Sequence, residues 1–257
     1  MSKRAAEKAL PTGREGEGGV QAVERALTLL EAFRDDDDPL PLAELASRTG
    51  LHKSTLLRLA DTLLRRRYLE RLADGRFRVG ASAFRLGTVY SNSQVPGDAL
   101  RPQMRLLASI VNESVGFYVV DGAQRVCLYR INVDRPLGYR MRVGDTHPLP
   151  EAATGRVLAA FLGTEGEPYE VIRARGSWAA SGERDPDLAS ISAPVFGVGQ
   201  VLIGAMTVGG PRRRVAEAES AVETALRAAA ARCTEALGGD PRLLTLAVKP
   251  LGAMEGT

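Results

Sequence analysis

Residues 51–67, LHKSTLLRLADTLLRRR, restrict the possible folds of this chain more than any other segment. Their apolar side chains recur at intervals of three, four, seven and eight positions, which places them on one face of an α-helix. The opposite face carries basic and hydroxyl side chains. The pattern predicts an amphipathic helix that packs one face against other elements and exposes a basic face. The apolar positions are Leu56, Leu59, Ala60, Leu63 and Leu64.

The polar face of this helix narrows the possible functions. His52, Lys53, Ser54 and Thr55 stand at its start, and Arg58 follows one turn later. Such side chains can reach base edges and phosphates, and a short helix that begins with them is typical of a recognition helix in the major groove of DNA. An ordinary surface helix with solvated charges explains the same pattern, so the flanking residues have to decide.

Positive charge is concentrated in the same part of the chain. Residues 51–80 contain eight Lys or Arg against three Asp or Glu, a net charge of +5, whereas all 257 residues together carry +3. The rest of the chain is therefore slightly acidic. One basic patch on an otherwise near-neutral protein is expected where a single part of the molecule contacts a polyanion.

The residues before the basic helix predict two further helices and a tight turn. An apolar repeat occupies residues 23–33, and a second short helix is predicted at residues 42–46, after Pro41. Gly50 is expected to end this second helix, because glycine adopts the left-handed conformation of a helix C-cap at little cost. Two short helices joined by a glycine turn, the second basic at its start, predict a helix-turn-helix.

The residues after the basic helix predict a β-hairpin. Short strands are expected at residues 68–72 and 76–79, and Asp74-Gly75 between them is a strong turn signal, because such a turn needs positive backbone dihedral angles. A hairpin in this place is a wing, so residues 20–80 predict a winged helix-turn-helix. The side chains expected to face inward are Phe77 and Val79, and those expected to face outward are Arg76 and Arg78.

The segments VQAVERALTLLEAF and LAELASRTGLHKSTLLRLADTLLRRRYLERLADGRFRVG resemble the N-terminal domain of the IclR family of bacterial transcription regulators almost position for position. Lys53-Ser54-Thr55 followed by Arg58 resembles the recognition-helix signature of that family. Pro41 departs from the family pattern, which usually has serine there. Proline is tolerated in a first helical turn, so the helix is still expected. The residues expected to contact double-stranded operator DNA are His52, Lys53, Ser54, Thr55, Arg58, Arg76 and Arg78.

Residues 81–238 predict an α+β arrangement. A helix is expected at residues 81–93, with a break at Val95-Pro96-Gly97, and Asp98 is expected to cap the next helix. The order of helix, strands, helices, strands and a last helix indicates helices packed against a sheet. Further strands are expected at residues 116–120, 125–131, 139–143, 191–196 and 201–208, further helices at residues 152–162, 168–175 and 215–237, and irregular structure at residues 176–189.

This second half also resembles the IclR family. The residues HPLP at 147–150 and Gly155-Arg156 resemble its loop-to-helix segment, and ISAPVF at 191–196 and GAMTVGGP at 204–211 resemble its closing strands. The resemblance spans roughly residues 20–238. It implies a GAF-like effector-binding domain behind the winged helix, and a homodimer or a dimer of dimers.

The expected organisation therefore has five parts. They are a disordered tail at residues 1–19, the winged helix-turn-helix domain at 20–80, a linker helix at 81–97, a GAF-like effector-binding and oligomerisation domain at 98–238, and a flexible C-terminal tail at 239–257. The first tail mixes charged residues with glycine and has almost no large apolar side chains, so it cannot offset the entropy lost on ordering.

In the IclR family a small molecule binds between the sheet and the loop that opens the middle helix. Serine at position 190 replaces a frequent cysteine, Gly209 a frequent serine, and Pro150 a histidine or tyrosine. The losses at Gly209 and Pro150 lower the capacity to hydrogen-bond a small carboxylate. We expect an effector larger or less polar than a two- or three-carbon acid, such as a bulkier organic acid or an aromatic metabolite. The implied effector-binding residues are Met141, Leu149, Ala152, Ala153, Ser190, Thr207 and Gly209.

Three smaller features are assigned structural roles. Residues 35–38, four aspartates, are expected to form a solvated loop, because consecutive side chains in a loop rarely converge on a metal ion. Cys127 lies in an alternating apolar strand and is expected to be a small buried side chain. Arg212 to Arg214 are expected to be solvated or paired with Glu217 and Glu219.

The sequence gives little support for a disulfide-rich, zinc-binding, membrane or secreted protein. Two cysteines without CxxC spacing and two histidines make a disulfide framework or a zinc site unexpected, and no cofactor is implied. No apolar run approaches the roughly 18 residues of a membrane span and no secretory signal is present, so a cytoplasmic protein without membrane contact is expected. Two alternatives stay open, namely a regulator whose second domain only oligomerises and a metabolic enzyme with an accessory basic helix.

Overall fold

The computed structural model describes residues 19–34, 37–94, 96–133 and 141–245. The chain divides into two compact units, one that ends at Tyr90 and one that begins at Ser91. The tail predicted at residues 1–19 lies outside the described residues except for Gly19, as do Asp35, Asp36, Val95 and the last twelve residues.

The first unit contains the predicted helix-turn-helix and wing. Gly50, with φ of 68°, ends the second helix, and its backbone N–H donates to the Ala46 carbonyl. Pro41 occupies the N-cap position of that helix, which forms as expected. The elements are α1 (Gln21–Glu31), α2 (Leu42–Thr49), α3 (Lys53–Arg65) and the antiparallel strands β1 (Leu69–Arg71) and β2 (Phe77–Val79).

The core of this unit forms around the apolar face of α3. Leu56, Ala60 and Leu63 are buried, and they pack with buried residues of α1, α2 and the wing. The spacing predicted from the sequence therefore gives the observed packing. Leu59 and Leu64 are only partly buried at the edge of the same cluster.

The wing differs from the prediction at one position. Phe77 is buried as expected, and its backbone also pairs with Leu40, which adds a bridge that the sequence did not indicate. Val79, expected to face inward, is 44% exposed. That prediction was wrong because Leu69, the partner of Val79 across the hairpin, already fills the core position on that side.

The aspartate-rich loop also differs from the prediction. Asp37 is not simply solvated, because both of its carboxylate oxygens accept hydrogen bonds from Arg48, at 2.5 and 2.9 Å. The same guanidinium donates to the Ala32 carbonyl at the end of α1, at 3.0 Å. Hydrogen bonding from Arg48 lowers the pKa of Asp37 below its ordinary value of 3.8. This ion pair connects α2 to the loop after α1.

The second unit is built on one six-stranded antiparallel sheet with the order β5-β4-β3-β8-β7-β6. Together with the first unit it gives a mixed α+β fold, as predicted. The strands are β3 (Ser114–Asp121), β4 (Gln124–Ile131), β5 (Thr146–Pro148), β6 (Trp178–Ser181), β7 (Leu188–Phe196) and β8 (Leu202–Pro211). The helices after the wing are α4 (Ala81–Gln94), α5 (Gly97–Val111), α6 (Ala152–Phe161), α7 (Tyr169–Arg175), α8 (Arg212–Glu217), α9 (Glu219–Ala236) and α10 (Arg242–Thr245).

Alternation along the strands gives the sheet two buried faces. Ile191 and Met206 belong to the larger cluster, which includes the apolar side chains of α5 and α9. Tyr118 and Ala205 belong to a second cluster with Val157 and its neighbours on α6. The second cluster is the layer in which the effector-binding residues were expected.

Several element boundaries in this unit correct the prediction. Of the strand predicted at residues 139–143, residues 139 and 140 lie outside the described residues, as do all of 134–140, and residues 141–143 are not a strand. The third strand of this unit is β5, which pairs with β4 through His147. Strand β6 lies within the segment expected to be irregular. The sequence missed it because pairing with β7, and not a local residue pattern, defines this strand. The last long helix is divided at Ala218, whose φ of −115° is not helical.

The two ends of this unit also differ from the prediction. Asp98 lies in the first turn of α5 rather than capping it, since Pro96 holds the N-cap position. The flexible tail expected from residue 239 does not begin there. Residues 242–245 form α10, because the apolar side chain of Leu244 is buried in the larger core cluster together with side chains of α9.

A buried ion pair holds α7 against α9. The Arg175 guanidinium donates to Glu223, with its Nε 2.7 Å from Oε1, and Ser177 donates to the same oxygen. Burial by itself raises the pKa of Glu223, but the bonds from Arg175 and Ser177 bring it below its ordinary value. The described helices include none that is both long and apolar enough to cross a membrane.

Replacing Asp37 with Asn is expected to lower the free energy of unfolding by about 1–2 kcal/mol at neutral pH, because a charge-assisted pair with Arg48 is lost. The folded-state pKa of Asp37 is depressed, so its contribution is present above the unfolded value and is lost as the pH falls through the folded value. Urea denaturation at pH 7 and pH 3 measures both effects. Asp38→Asn, at a neighbouring exposed carboxylate, is the control, and equal losses for the two variants contradict this assignment.

Candidate nucleic-acid interface and ligand pocket

The start of α3 presents the side chains predicted to contact DNA. His52, Lys53, Ser54 and Arg58 are exposed, whereas Thr55 is half-buried. Burial of the leucine face fixes this orientation. The polar residues of the first turns of α3 are therefore directed toward solvent together.

Lys53 and Arg58 are available for an external partner. Among the described residues, neither side chain makes a hydrogen bond or an ion pair within the protein. A cation without an internal partner loses no existing bond when it contacts a phosphate or a base. This availability distinguishes the two residues from the arginines of the wing.

The wing arginines are already paired. Arg76 Nε donates to Asp74 at 2.7 Å, and Arg78 Nη2 lies 2.7 Å from Glu70 Oε2. Hydrogen bonds from the backbone and side chain of Arg76 lower the pKa of Asp74. A DNA phosphate has to compete with these carboxylates, so the wing offers less free positive charge than its sequence suggests.

One basic side chain of the wing was not singled out from the sequence. The Arg71 guanidinium lies 5.5 Å from the centre of the Phe77 ring, a cation–π arrangement that holds it beside the hairpin. Arg65, at the end of α3, donates to Thr62 at 3.2 Å. These contacts involve residues close in sequence, but no local motif indicates them.

The effector residues expected from the sequence do not all meet at one place. Ala152 and Ser190 line a small cavity of about 20 Å³ between the start of α6 and strands β6 and β7. That volume is close to the room one water molecule needs, well below the roughly 300 Å³ of a typical ligand site. The other residues of this cavity are Ala180, Gly182, Glu183, Arg184, Asp185, Leu188 and Ala189.

Thr207, expected to bind the effector, is buried and hydrogen-bonded inside the protein. Its hydroxyl lies 2.9 Å from the Thr154 hydroxyl and 2.8 Å from the Ser192 hydroxyl. Ser192 also donates to the Met206 carbonyl at 3.1 Å. This chain of hydroxyls joins α6 to β7 and β8. In this structure the Thr207 hydroxyl therefore bonds to neighbouring side chains of the protein and does not face a ligand cavity.

The remaining expected residues are not among those that line the cavity. Ala153 is fully buried in α6, and Gly209 pairs with Ser190 across the two central strands. Leu149 packs at the edge of the α6 cluster, and Met141 lies within it. A Cβ atom on Gly155 would lie 1.6 Å from the Leu149 carbonyl, so glycine is required for this loop to pack against α6.

Three charged residues that the sequence did not indicate line the cavity, namely Glu183, Arg184 and Asp185. Glu183 Oε2 accepts a hydrogen bond from the Ala152 backbone N–H at 3.2 Å, and its other oxygen is paired with Arg156. Arg184 Nη1 lies 3.1 Å from Met141 Sδ. Glu183 and Arg184 come from the segment expected to be irregular, where no periodic pattern could show their direction.

Three other predicted features can now be placed. Cys127 is fully buried, as expected, and burial raises the pKa of its thiol to about 11. Arg213 pairs with Glu217 as expected, but Arg214 pairs with Glu113, at 2.6 Å. Among the described residues, no group of three or more His, Cys, Asp or Glu side chains could hold a metal ion.

Thr207→Val and Ser190→Ala should differ in their effect on stability, although the sequence analysis assigned both residues to one effector site. Thr207→Val leaves the buried hydroxyls of Thr154 and Ser192 without their shared partner, so we expect a loss of about 1–3 kcal/mol in the free energy of unfolding. Ser190→Ala breaks no observed hydrogen bond among the described residues and should change stability by less than about 0.5 kcal/mol. Chemical denaturation measures both, and a small effect of Thr207→Val contradicts its structural role.

Comparison with known proteins identifies both halves of the chain. A model of the IclR helix-turn-helix domain matches residues 22–73, and a model of the bacterial transcriptional regulator IclR C-terminal domain matches residues 167–234. The regulator TtgV of Pseudomonas putida is 32% identical over 67% of this chain, and the match covers 62% of its own length. The glycerol operon regulatory protein of Streptomyces coelicolor is 29% identical over 86% of this chain and 96% of its own.

Solved structures show the same fold. An IclR homologue of Microbacterium hydrocarbonoxydans in complex with 4-hydroxybenzoate aligns with a TM-score of 0.72 at 22% identity, over 84% of this chain and 98% of its own. Thermotoga maritima IclR aligns with a TM-score of 0.69 at 16% identity, over 84% and 98%. The matches to both domains, in this order along the chain, show that the protein belongs to the IclR family of bacterial transcription regulators.

Proposed function

We propose that this chain is a ligand-responsive regulator that binds (pseudo)palindromic operator DNA through α3 and a small organic metabolite through its second unit. The observation that carries the DNA-binding part is the exposure of Lys53 and Arg58 on α3, both without an internal partner among the described residues. Two similar proteins, TtgV of Pseudomonas putida and the glycerol operon regulatory protein of Streptomyces coelicolor, are named as regulators.

The proposed DNA contacts divide along the recognition helix. Lys53, Ser54 and Arg58 contact base edges or phosphates in the major groove, and His52 and Thr55 assist from the same turn. Arg76 and Arg78 bind the flanking phosphate backbone after they exchange their carboxylate partners, Asp74 and Glu70, for phosphates. Because that exchange offsets part of the gain, we expect the wing to contribute less than α3.

We propose that the active form is a homodimer or a dimer of dimers. On α4, Phe84 is 80% exposed, and Leu86 and Val89 are exposed on the same helix. On α1, Val23 and Leu27 are also exposed. Large apolar side chains grouped on helices of a DNA-binding unit fit a surface buried between two copies. Two copies place two α3 helices on half-sites about 34 Å apart.

We propose that an effector binds near the start of α6 and changes how well the two recognition helices engage both half-sites. The structure of a relative with 4-hydroxybenzoate supports a small aromatic or organic acid as the class of ligand. The absence of side-chain polar groups at Gly209 and Pro150 favours an effector larger or less polar than a two- or three-carbon acid. Calorimetry that detected tight binding of glyoxylate or pyruvate to the wild-type protein contradicts this proposal.

One observation favours a second candidate, a regulator whose second unit only oligomerises. The cavity that Ala152 and Ser190 line together has a volume of only about 20 Å³, and the larger cavity of about 270 Å³ that Ser190 also lines includes no other residue of the expected effector site. A thermal-shift screen separates the two candidates, because a ligand that binds the folded state raises the melting temperature. A flat response across many metabolites favours the second candidate. We propose no enzymatic activity for either, and a cytoplasmic location follows from access to the chromosome.

Arg58→Ala is expected to weaken specific operator binding by about 1–3 kcal/mol and to relax base preference at one position of each half-site. Arg65→Ala, at the other end of the same helix, is the control and should have a smaller effect. Footprinting and fluorescence anisotropy on DNA upstream of the gene, at stated salt, measure both. If Arg58→Ala leaves the footprint and the affinity unchanged, α3 is not the reading element.

Phe84→Ser is expected to raise the dissociation constant of the dimer by about tenfold or more, because burial of a large aromatic side chain between copies is lost. Sedimentation over a range of concentrations measures the monomer–dimer equilibrium. Val198→Ser, at an exposed turn of the second unit, is the control. An unchanged equilibrium for Phe84→Ser excludes α4 from the interface.

A further inference from the structure

We propose that residues 246–251, LAVKPL, bind in a cavity between the edge strand β6 and the junction of α8 with α9, where Lys249 pairs with Glu219. These six residues, called the tail segment below, follow α10 and lie outside the described residues. The cavity is thus assigned to a part of the same chain. This contact is independent of the DNA and effector binding proposed above.

The cavity lies beside α8 and α9 at one edge of the sheet. Ile191 and Val215 line it and belong to the larger core cluster, and within the described ranges no residue of α6 lines it. Its volume is about 270 Å³. That is many times the roughly 30 Å³ of a water molecule and slightly below the roughly 300 Å³ of a typical small-molecule site. A space of this size accommodates a few apolar side chains of a peptide.

The neighbouring strand β6 has an open side. In the described sheet it is an edge strand and pairs only with β7. The outward backbone groups of an edge strand are a template for another extended segment. The tail segment suits this role, because Leu246, Ala247 and Val248 are apolar and a proline such as Pro250 is tolerated on an outer strand. Alternate side chains of a strand added there lie on the same side of the sheet as the cavity.

Two contacts show the direction in which the chain approaches the cavity. At the end of α9, the Gly239 N–H donates to the Thr234 carbonyl at 2.8 Å. Arg227, about two turns earlier on α9, donates from Nη2 to the Leu243 carbonyl at 3.0 Å. The chain therefore returns antiparallel to α9, and a chain that continues in this direction passes toward the first turn of that helix.

The cavity is within reach of the tail segment. Glu219 lies eight residues along α9 from Arg227, about 12 Å at 1.5 Å per residue. Lys249 follows Leu243 by six residues, which span up to about 20 Å when extended. Helix α10 also lies against the loop that enters β6, since a Cβ atom on Gly176 would be 3.3 Å from the Leu243 carbonyl oxygen. The tail segment therefore starts beside the cavity and is long enough to cross it.

The charge of the cavity complements that of the tail segment. Arg175 and Glu219 both line the cavity, but Arg175 is already bound to Glu223 in a buried ion pair. Glu219 makes no hydrogen bond or ion pair with another residue that the structure describes. The charge left without a partner on the cavity wall is thus negative. Lys249 is the only Lys or Arg among residues 246–257, and it supplies the opposite charge.

The covalent connection makes weak binding sufficient. Because the tail segment and the cavity belong to one chain, the segment is present at an effective concentration on the order of 1 mM. Occupancy requires only a dissociation constant below that value. A bound tail segment covers the edge of β6, which is otherwise open to pairing with other chains.

The fluorescence of Trp178 reports on this contact, because Trp178 lines the cavity and is the only tryptophan in the 257 residues. A chain that ends after Thr245 keeps every described residue. Its Trp178 emission should move to longer wavelength than in the full chain, and quenching by acrylamide should increase, because the cavity is uncovered. A synthetic peptide of residues 246–257 should reverse both changes with a dissociation constant on the order of 1 mM or lower.

Charge reversal tests the pair between Lys249 and Glu219. Lys249→Glu in the peptide, or Glu219→Lys in the shortened chain, should raise the dissociation constant by about two- to fivefold, the range of an exposed ion pair. The two substitutions together should restore it, because the pair re-forms with opposite signs. Glu235→Lys, an exposed charge reversal near the other end of α9, is the matched control and should change nothing.

The full chain provides a second measurement if the shortened chain fails to fold. Lys249→Glu and Glu219→Lys should each increase quenching of Trp178, and the double variant should return it to the wild-type value. Trp178 fluorescence that is unchanged by removal of residues 246–257 overturns the proposal, as does a double variant that restores nothing. A change that depends on protein concentration shows that a second copy covers β6, and it overturns the assignment to the tail segment.

Discussion

Burial of the apolar face of α3 is the constraint on which the DNA-binding unit depends. Leu56, Ala60 and Leu63 can reach the shared core in only one rotation of the helix about its axis. Burying a leucine contributes about 1.5–3 kcal/mol, more than an exposed charge gains from any one orientation. The leucines therefore decide where the charges lie, and Lys53 and Arg58 are presented to solvent as a result.

Internal pairing determines how much of the positive charge is available to a polyanion. Arg48 is bound to Asp37, and the wing arginines are bound to Asp74 and Glu70. Of the eight Lys and Arg side chains of residues 51–80, Arg76 and Arg78 are therefore already engaged by carboxylates. Lys53 and Arg58 at the start of α3 are not engaged by any other residue that the structure describes, which is why we assign this part of the patch the leading role.

Helix α6 makes different contacts on its two sides. Thr154 bonds to Thr207 on the sheet, and Gly155 gives the Leu149 loop room to approach. Ala152 and Arg156 instead contact Glu183 from the turn between β6 and β7. The same helix is therefore bonded to the sheet on one side and to the turn between β6 and β7 on the other.

The sequence by itself determined the helix-turn-helix, the wing and the basic face of α3, because helical period, Gly50 and Asp74-Gly75 are signals that neighbouring residues carry. Only the tertiary structure decided that strand β6 exists and that Val79 is exposed. It also decided that the Thr207 hydroxyl is hydrogen-bonded, whereas the Ser190 hydroxyl makes no hydrogen bond among the described residues. It also placed Glu183 on Ala152. The contacts of Glu183 with Ala152 and of Thr207 with Thr154 join residues 31 and 53 positions apart in the chain, and no local pattern encodes which distant side chain fills a given space.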